Sequence, residues 1–268
     1  MITKEITHNY LEDLVTQIRS KGRYMFTSDE VKLKFRQSDE ALKKSFSRLK
    51  EKNKIAQIRQ GFYAIITPEY STLGMLPPHL FIDDMMKELN KKYYVGVLSA
   101  ASLHGAGHQQ PMEYFVITEK PAPRDIETEK LKINFLAKKE WSKENIVEKK
   151  TDAGYIQVSN PELTALDLFY YPQFGLNRVS TILLELVEEM KATALSKVAK
   201  TYPQTAALQR LGYLLDREMQ EEKLSEALHK VLQTKTYYPI ALASDKDKKG
   251  ENDSKWKVIV NTTIEADL

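Results

Sequence analysis

Lys43, Lys44, Ser47 and Arg48 share one side of a predicted helix, opposite an apolar stripe of Leu42, Ser45, Phe46 and Leu49. A helix entering the DNA major groove needs such an outer face. Arg can bond two guanine acceptors at once, Lys meets phosphate or guanine, and Ser reads a base weakly. Arg59 and Gln60 precede Gly61 in a predicted hairpin turn, where they can reach a flanking phosphate or the minor groove. The surroundings carry the matching charge. Lys32 to Arg59 hold 10 basic and 3 acidic residues, whereas residues 71–268 sum to −2 within a chain of net charge +3. A local positive field of this kind faces a polyanion. The bland alternative is a solvated helix face.

Other chemistry is weakly represented. The histidines are His8, His79, His104, His108 and His229; His104 and His108 are four apart, but Gly105 and Gly107 interrupt any helix between them. No HExxH or carboxylate–histidine cluster accompanies them, so no metal is expected. Glu148-Lys149-Lys150, with Asp125 upstream, matches a nuclease Glu-x-Lys pattern only as loosely as chance allows in a chain 29% charged. Asp245-Lys246-Asp247 has paired aspartates without the Gly-Ser that nucleotidyltransferases place before them. There is no P-loop and no GxGxxG, so no cofactor is expected. The absence of cysteine excludes disulfides, thiolate metal sites and thiol catalysis.

The elements that position the basic residues are readable. Leu11, Leu14, Val15 and Ile18 predict an amphipathic helix over about residues 7–20, ended by Gly22. Thr27 with Glu30 forms a capping box signal and Phe26 with Val31 a hydrophobic staple, so a short helix begins at Thr27 and ends near Arg36-Gln37. Ser38 or Asp39 caps a third helix over about 39–52. Ile55–Ile58 and Phe62–Ile66 are β-prone runs joined through Gly61. Three helices followed by a hairpin is the order of a winged helix-turn-helix, here residues 1–70.

Thr67–Pro78 carries three prolines and a glycine with no periodic apolar pattern, and reads as a coreless boundary with a linker at 71–78. Residues 79–268 then form a larger α+β domain. A helix is expected over 79–91 and another near Ser99–His104, with strands at Tyr114–Thr118, Leu131–Leu136, Val147–Thr151 and Tyr155–Val158. Helices follow from 160 to 233, and strands close the chain at Tyr237–Ala243 and Lys255–Asn261. Strands first and helices after argue for α+β rather than repeated βαβ units. Before the first of these helices, Ser159 and Glu162 can form a capping box, or Asn160 can cap with Pro161 at the first helical position. Ser244–Lys255 reads as a solvated, mobile loop. With 268 residues, two domains are the prior. No apolar run approaches the ~18 residues of a membrane span, and Lys4, Glu5, Glu12 and Asp13 occupy the place of a signal peptide's apolar core. The expectation is a cytoplasmic protein with its mature N-terminus and no membrane partner.

Tyr93–Pro111 (YYVGVLSAASLHGAGHQQP) followed by Tyr114–Thr118 (YFVIT) resembles the AbiE-type antitoxins, the transcriptional-regulator half of type IV toxin–antitoxin systems in bacterial phage defence and abortive infection. Arg59–Tyr63 (RQGFY), Val158–Phe169 (VSNPELTALDLF) and Trp256–Asn261 (WKVIVN) are also similar. The resemblance implies a winged helix that binds inverted repeats in double-stranded promoter DNA and represses its own operon. It implies a C-terminal domain that opposes a nucleotidyltransferase-like toxin, without requiring a stable complex. A single Arg at the wing tip departs from that pattern. Within the matching segments Ser99, His104, Glu162 and Asp167 are candidate antitoxin-domain determinants. Their own chemistry has structural readings too: Ser99, Ala100 and Ala101 permit close helix packing, His104 bonds at a helix end that Gly105 terminates with positive φ, and Asp167, among Leu166, Leu168 and Phe169, needs a buried partner, for which Arg178 is the candidate. The leading expectation is a non-enzymatic autorepressor and antitoxin. The alternatives are a winged-helix regulator whose C-terminal domain senses a ligand or protein with no toxin involved, and a DNA-targeted nuclease.

Overall fold

The computed structural model describes residues 10–35, 38–107 and 113–264. The fold is α+β. Helix α1 (Tyr10–Ser20) buries Leu11, Leu14, Val15 and Ile18, and Gly22 at φ 79° ends it. Strand β1 (Met25–Thr27) leads into α2 (Ser28–Lys34). The expected box forms: Thr27 Oγ1 accepts from Glu30 N at 3.1 Å, and Glu30 accepts from Thr27 N at 3.0 Å. The Arg23 guanidinium grips the same carboxylate at 2.6 and 3.1 Å. α2 stops at Lys34, and Arg36-Gln37 lie outside the described residues.

Ser38 caps α3 (Asp39–Glu51), whose Leu42, Phe46 and Leu49 are buried. Strands β2 (Ile55–Arg59) and β3 (Phe62–Ile65) form the hairpin, turned through Gly61 at φ 83°. β3 is central in a three-stranded antiparallel sheet of order β1-β3-β2. Phe46 and Tyr63 stack at 4.6 Å, with Phe26 completing the cluster, and the helices close over it. This is a winged helix-turn-helix arrangement, with β1 as its third strand.

The stretch expected to lack a core does not. Met75 and Leu76 are buried, flanked by 3-10 turns at Pro68–Tyr70 and Pro78–Leu80. The prolines fix tight turns there, and the two apolar side chains between them pack inward. Helix α4 (Ile82–Glu88) follows. By internal contacts the chain falls into two compact units. One reaches to Tyr93 and adds Thr118–Lys138 and Glu148–Gln157; the other comprises Tyr94–Ile117, Lys139–Val147 and the chain from Val158 onward.

Strands β4 (Tyr93–Val95), β5 (Tyr114–Thr118), β6 (Ile126–Thr128), β7 (Leu131–Ala137), β8 (Ile146–Thr151) and β9 (Gly154–Ser159) form one sheet of order β6-β7-β5-β4-β9-β8. Helix α5 (Val97–Leu103) follows β4, and the parallel pairing of β4 and β9 sets Val95 beside Val158. Helix α6 (Pro161–Tyr170) is buried from Glu162 to Phe169, as expected of a helix apolar on nearly every side. Around it come α7 (Leu176–Leu186), α8 (Ala192–Thr201), α9 (Thr205–Tyr213), continued by a wider turn over Leu214–Glu218, and α10 (Glu222–Leu232).

Strands β10 (Ile240–Ala241), β11 (Glu251–Asp253) and β12 (Val258–Val260) make a small sheet with β12 central. β11 corrects the reading of Ser244–Lys255 as solvated loop throughout: its backbone pairs antiparallel with β12, which charged side chains at an edge do not prevent. Gly212 on α9 leaves room for the fully buried Trp256, whose indole N–H donates to Asp216 at 2.9 Å.

Candidate functional site

The structure places the expected basic residues in two groups. Lys43, Lys44, Ser47 and Arg48 are exposed on α3, on the side away from Leu42, Phe46 and Leu49. Among the described residues Lys43, Lys44 and Arg48 have no ion-pair partner, and Ser47 donates to Glu51 at 3.1 Å. By contrast Lys32 is paired with Asp39 at 3.3 Å, Lys54 with Glu12, and Arg23 with Glu30. The cations of the outer α3 face are therefore left uncompensated. At the wing Gln60 is exposed, but Arg59 is half-buried. Its guanidinium lies 5.9 Å from the Phe62 ring centroid, and its Nη1 is buried with no acceptor among the described residues. Lys50, also exposed on α3, adds to the positive face; the apolar spacing that located the helix carried no signal for it.

Burial pushes against ionisation of Glu30, but the Arg23 and Thr27 hydrogen bonds outweigh it and hold this carboxyl below the ordinary glutamate range. Glu30 thus stays charged and keeps the start of α2 anchored ahead of α3.

Of the other four expected residues Ser99, Glu162 and Asp167 are buried and His104 is half-buried. Ser99 Oγ accepts from Phe115 N at 2.9 Å, joining α5 to β5. His104 ends α5 before Gly105 at φ 89°. Its Nε2 lies 2.7 Å from the Ser159 carbonyl, and since a carbonyl only accepts, Nε2 carries the proton. Asn160, not Ser159, caps α6, accepting from Leu163 N at 2.9 Å. Ser159 Oγ instead meets Thr164 Oγ1 at 2.6 Å, and Glu162 reaches Lys191 N at 2.7 Å, fixing the start of α8. His108, with residues 108–112 of the motif, lies outside the described residues.

Asp167 is fully buried, and its bonded partners correct the expectation of Arg178. Tyr94 donates to one carboxylate oxygen at 2.6 Å and Tyr202 to the other at 2.7 Å. Burial, and then the adjacent Asp167, push both phenols well above the ordinary tyrosine range, so they remain donors. Trp141 packs edge-on against Tyr94 at 5.2 Å, and Tyr170 against Tyr202 at 6.1 Å. Among the described residues no group of three or more histidine or acidic side chains could hold a metal, and no helix is long and apolar enough to cross a membrane.

Tyr94, Ser99, His104, Glu162, Asp167 and Tyr202 all fall in the segment 94–217, which matches the AbiEi antitoxin C-terminal domain. These six residues thus serve as an internal hydrogen-bond frame of the matched segment. The fold has a wider counterpart. A crystal structure of the Rv2827c protein from Mycobacterium tuberculosis superimposes with a TM-score of 0.64, covering 93% of this chain and 90% of that one at 15% identity. No curated protein sequence matches the chain.

Proposed function

We propose that this chain is a non-enzymatic antitoxin of an AbiE-type system that also represses its own operon. In this reading residues 1–70 bind inverted repeats in promoter DNA, residues 79–268 counteract a nucleotidyltransferase-like toxin, and 71–78 join them. The AbiEi match over 94–217 carries the antitoxin role. The winged-helix arrangement and the uncompensated Lys43, Lys44 and Arg48 on α3 support DNA binding. Lys43 and Lys44 contact phosphate, Arg48 reads a base and Ser47 assists. Arg59, lying along the wing with a nitrogen lacking an acceptor, turns that nitrogen to a phosphate at the wing's edge.

The test is binding of the full chain to its upstream DNA across a salt series. Affinity falls steeply with salt as displaced counterions return. Arg48→Ala costs about 1–3 kcal/mol and relaxes specificity, while Lys43→Ala and Lys44→Ala weaken all sequences alike and flatten the salt slope. A Lys44→Ala/Arg48→Ala variant with full affinity would show that α3 presents the wrong face. Rescue of cells producing the adjacent nucleotidyltransferase-like protein from an unrelated promoter tests the antitoxin role separately from repression.

A further inference from the structure

We propose that the groove between α8 and α10 docks an acidic amphipathic helix of a partner protein. The groove has a volume of about 560 Å³ and is open to solvent. Its floor includes Ala227 and Val231, and its rim carries Lys200, Lys223 and Lys230 against the single carboxylate of Glu226. The three lysines are exposed and have no ion-pair partner among the described residues. The lining is therefore apolar at its base and net positive at its edges. Helix α8 has 10 residues, so the groove offers ~15 Å, the length of about three helical turns. An occupant with small or aliphatic side chains at i, i+3/i+4 and i+7 fills the floor, and glutamates or aspartates beside that stripe meet the lysines.

The same lining disfavours other polyanions. No aromatic side chain offers a stacking platform for a base, and no arginine offers a fork for phosphate. A membrane surface would need large exposed apolar anchors, but Leu33, Leu73, Tyr155 and Tyr238 all lie outside the groove. The inference deepens the antitoxin reading and rests on it, the partner being the toxin that the domain opposes.

The experiment uses the full chain and a fluorescent, lactam-bridged model helix with Leu and Ala on one face and Glu along both sides. The wild type binds this helix, Lys200→Glu/Lys223→Glu/Lys230→Glu loses about tenfold or more of that affinity, and the triple Lys→Arg variant keeps it. In cells the charge-reversed variant loses toxin rescue while retaining promoter binding, and its circular dichroism spectrum and thermal melt match the wild type, which shows that the groove's own part of the chain folds. Equal binding by wild type and charge-reversed protein, or equal binding of a Lys-bearing control helix, overturns the proposal. So does rim-dependent binding of a single-stranded oligoribonucleotide or of phosphatidylserine vesicles in place of the acidic helix. If the charge-reversed variant rescues as well as the wild type, the groove proposal falls and the antitoxin reading stands. If the wild type fails to rescue, the antitoxin reading falls, and rim-independent binding of the model helix would overturn the groove as well.

Discussion

Replacing Asp167 separates a frame residue from one that acts on a partner. Its carboxylate is fully buried and accepts from Tyr94 at 2.6 Å and Tyr202 at 2.7 Å. A hydrogen bond to a charged group contributes about 1.5–3 kcal/mol, and stranding a buried donor costs about as much. Asp167→Ala removes the carboxylate that accepts from both phenols, so the expected loss is about 3–6 kcal/mol. Against a total stability of about 5–15 kcal/mol, that is enough to unfold much of the domain at 37 °C. Asp167→Asn keeps the volume and one carbonyl oxygen. One phenol retains its acceptor, and the other can accept from the new amide, so the expected loss is smaller, about 1–3 kcal/mol. Urea denaturation of the full chain, followed by circular dichroism, measures both. Because no atom of Asp167 reaches the surface, antitoxin activity follows the folded fraction and returns when cells are grown cooler. An Ala variant within about 0.5 kcal/mol of wild type would refute the hydrogen-bond account. A fully folded variant that fails to rescue at any temperature would assign Asp167 a direct role instead.

Two further perturbations probe the frame. Gly212→Ala gains about 1 kcal/mol of helix propensity. The added methyl, however, collides with the six-membered ring of buried Trp256, and overpacking costs about 1–3 kcal/mol. A net loss is expected, and a Gly212→Ala/Trp256→Phe double variant showing non-additive recovery in thermal melts would confirm the contact. Glu30 titrates below the ordinary glutamate value in the folded chain, so its contribution is complete above the unfolded pKa of about 4.3 and disappears as pH falls through the lower folded value. Stability measured from about pH 6 down to pH 3 therefore declines less steeply in Glu30→Gln than in wild type; equal slopes would mean that the Arg23–Glu30 pair contributes nothing.

The features legible in the sequence were those encoded within a few residues. The Thr27–Glu30 box, the Gly61 turn, the apolar stripe of α3 and strand β5 all rest on local geometry, and the structure has each of them. The short strands β1, β4, β6 and β11 escaped that reading, because in three residues no alternation can develop; β1 and β4 pair with strands far along the chain, β6 and β11 with the strand that follows each. Residues Glu251–Asp253 look like loop because composition reports side-chain solvation, whereas pairing with β12 uses only the backbone. For Asp167 the apolar neighbours Leu166, Leu168 and Phe169 pointed to burial. Its partners could not be read, because Tyr94 and Tyr202 lie 73 and 35 residues away and a phenol serves as well as the expected arginine. Asn160 rather than Ser159 caps α6 because Pro161 already takes the first helical position, leaving Ser159 to bond inward. The lysines of the groove look, in one dimension, like any solvated helix face.

The side chain of Asn261 accepts from Ala243 N and donates to the carbonyls of Ala243, Lys246 and Asp247. Lys246, Lys248 and Lys249 nearby are exposed, and each is a cleavage position for a trypsin-like protease. A protease, however, must draw several residues of backbone into its cleft, and the backbone preceding these bonds is clasped. Cutting there requires Asn261 to let go first, so its rate reports how often the clasp opens rather than how many lysines are displayed. A chain nicked at this position would mark a molecule caught with its small terminal sheet already loosened.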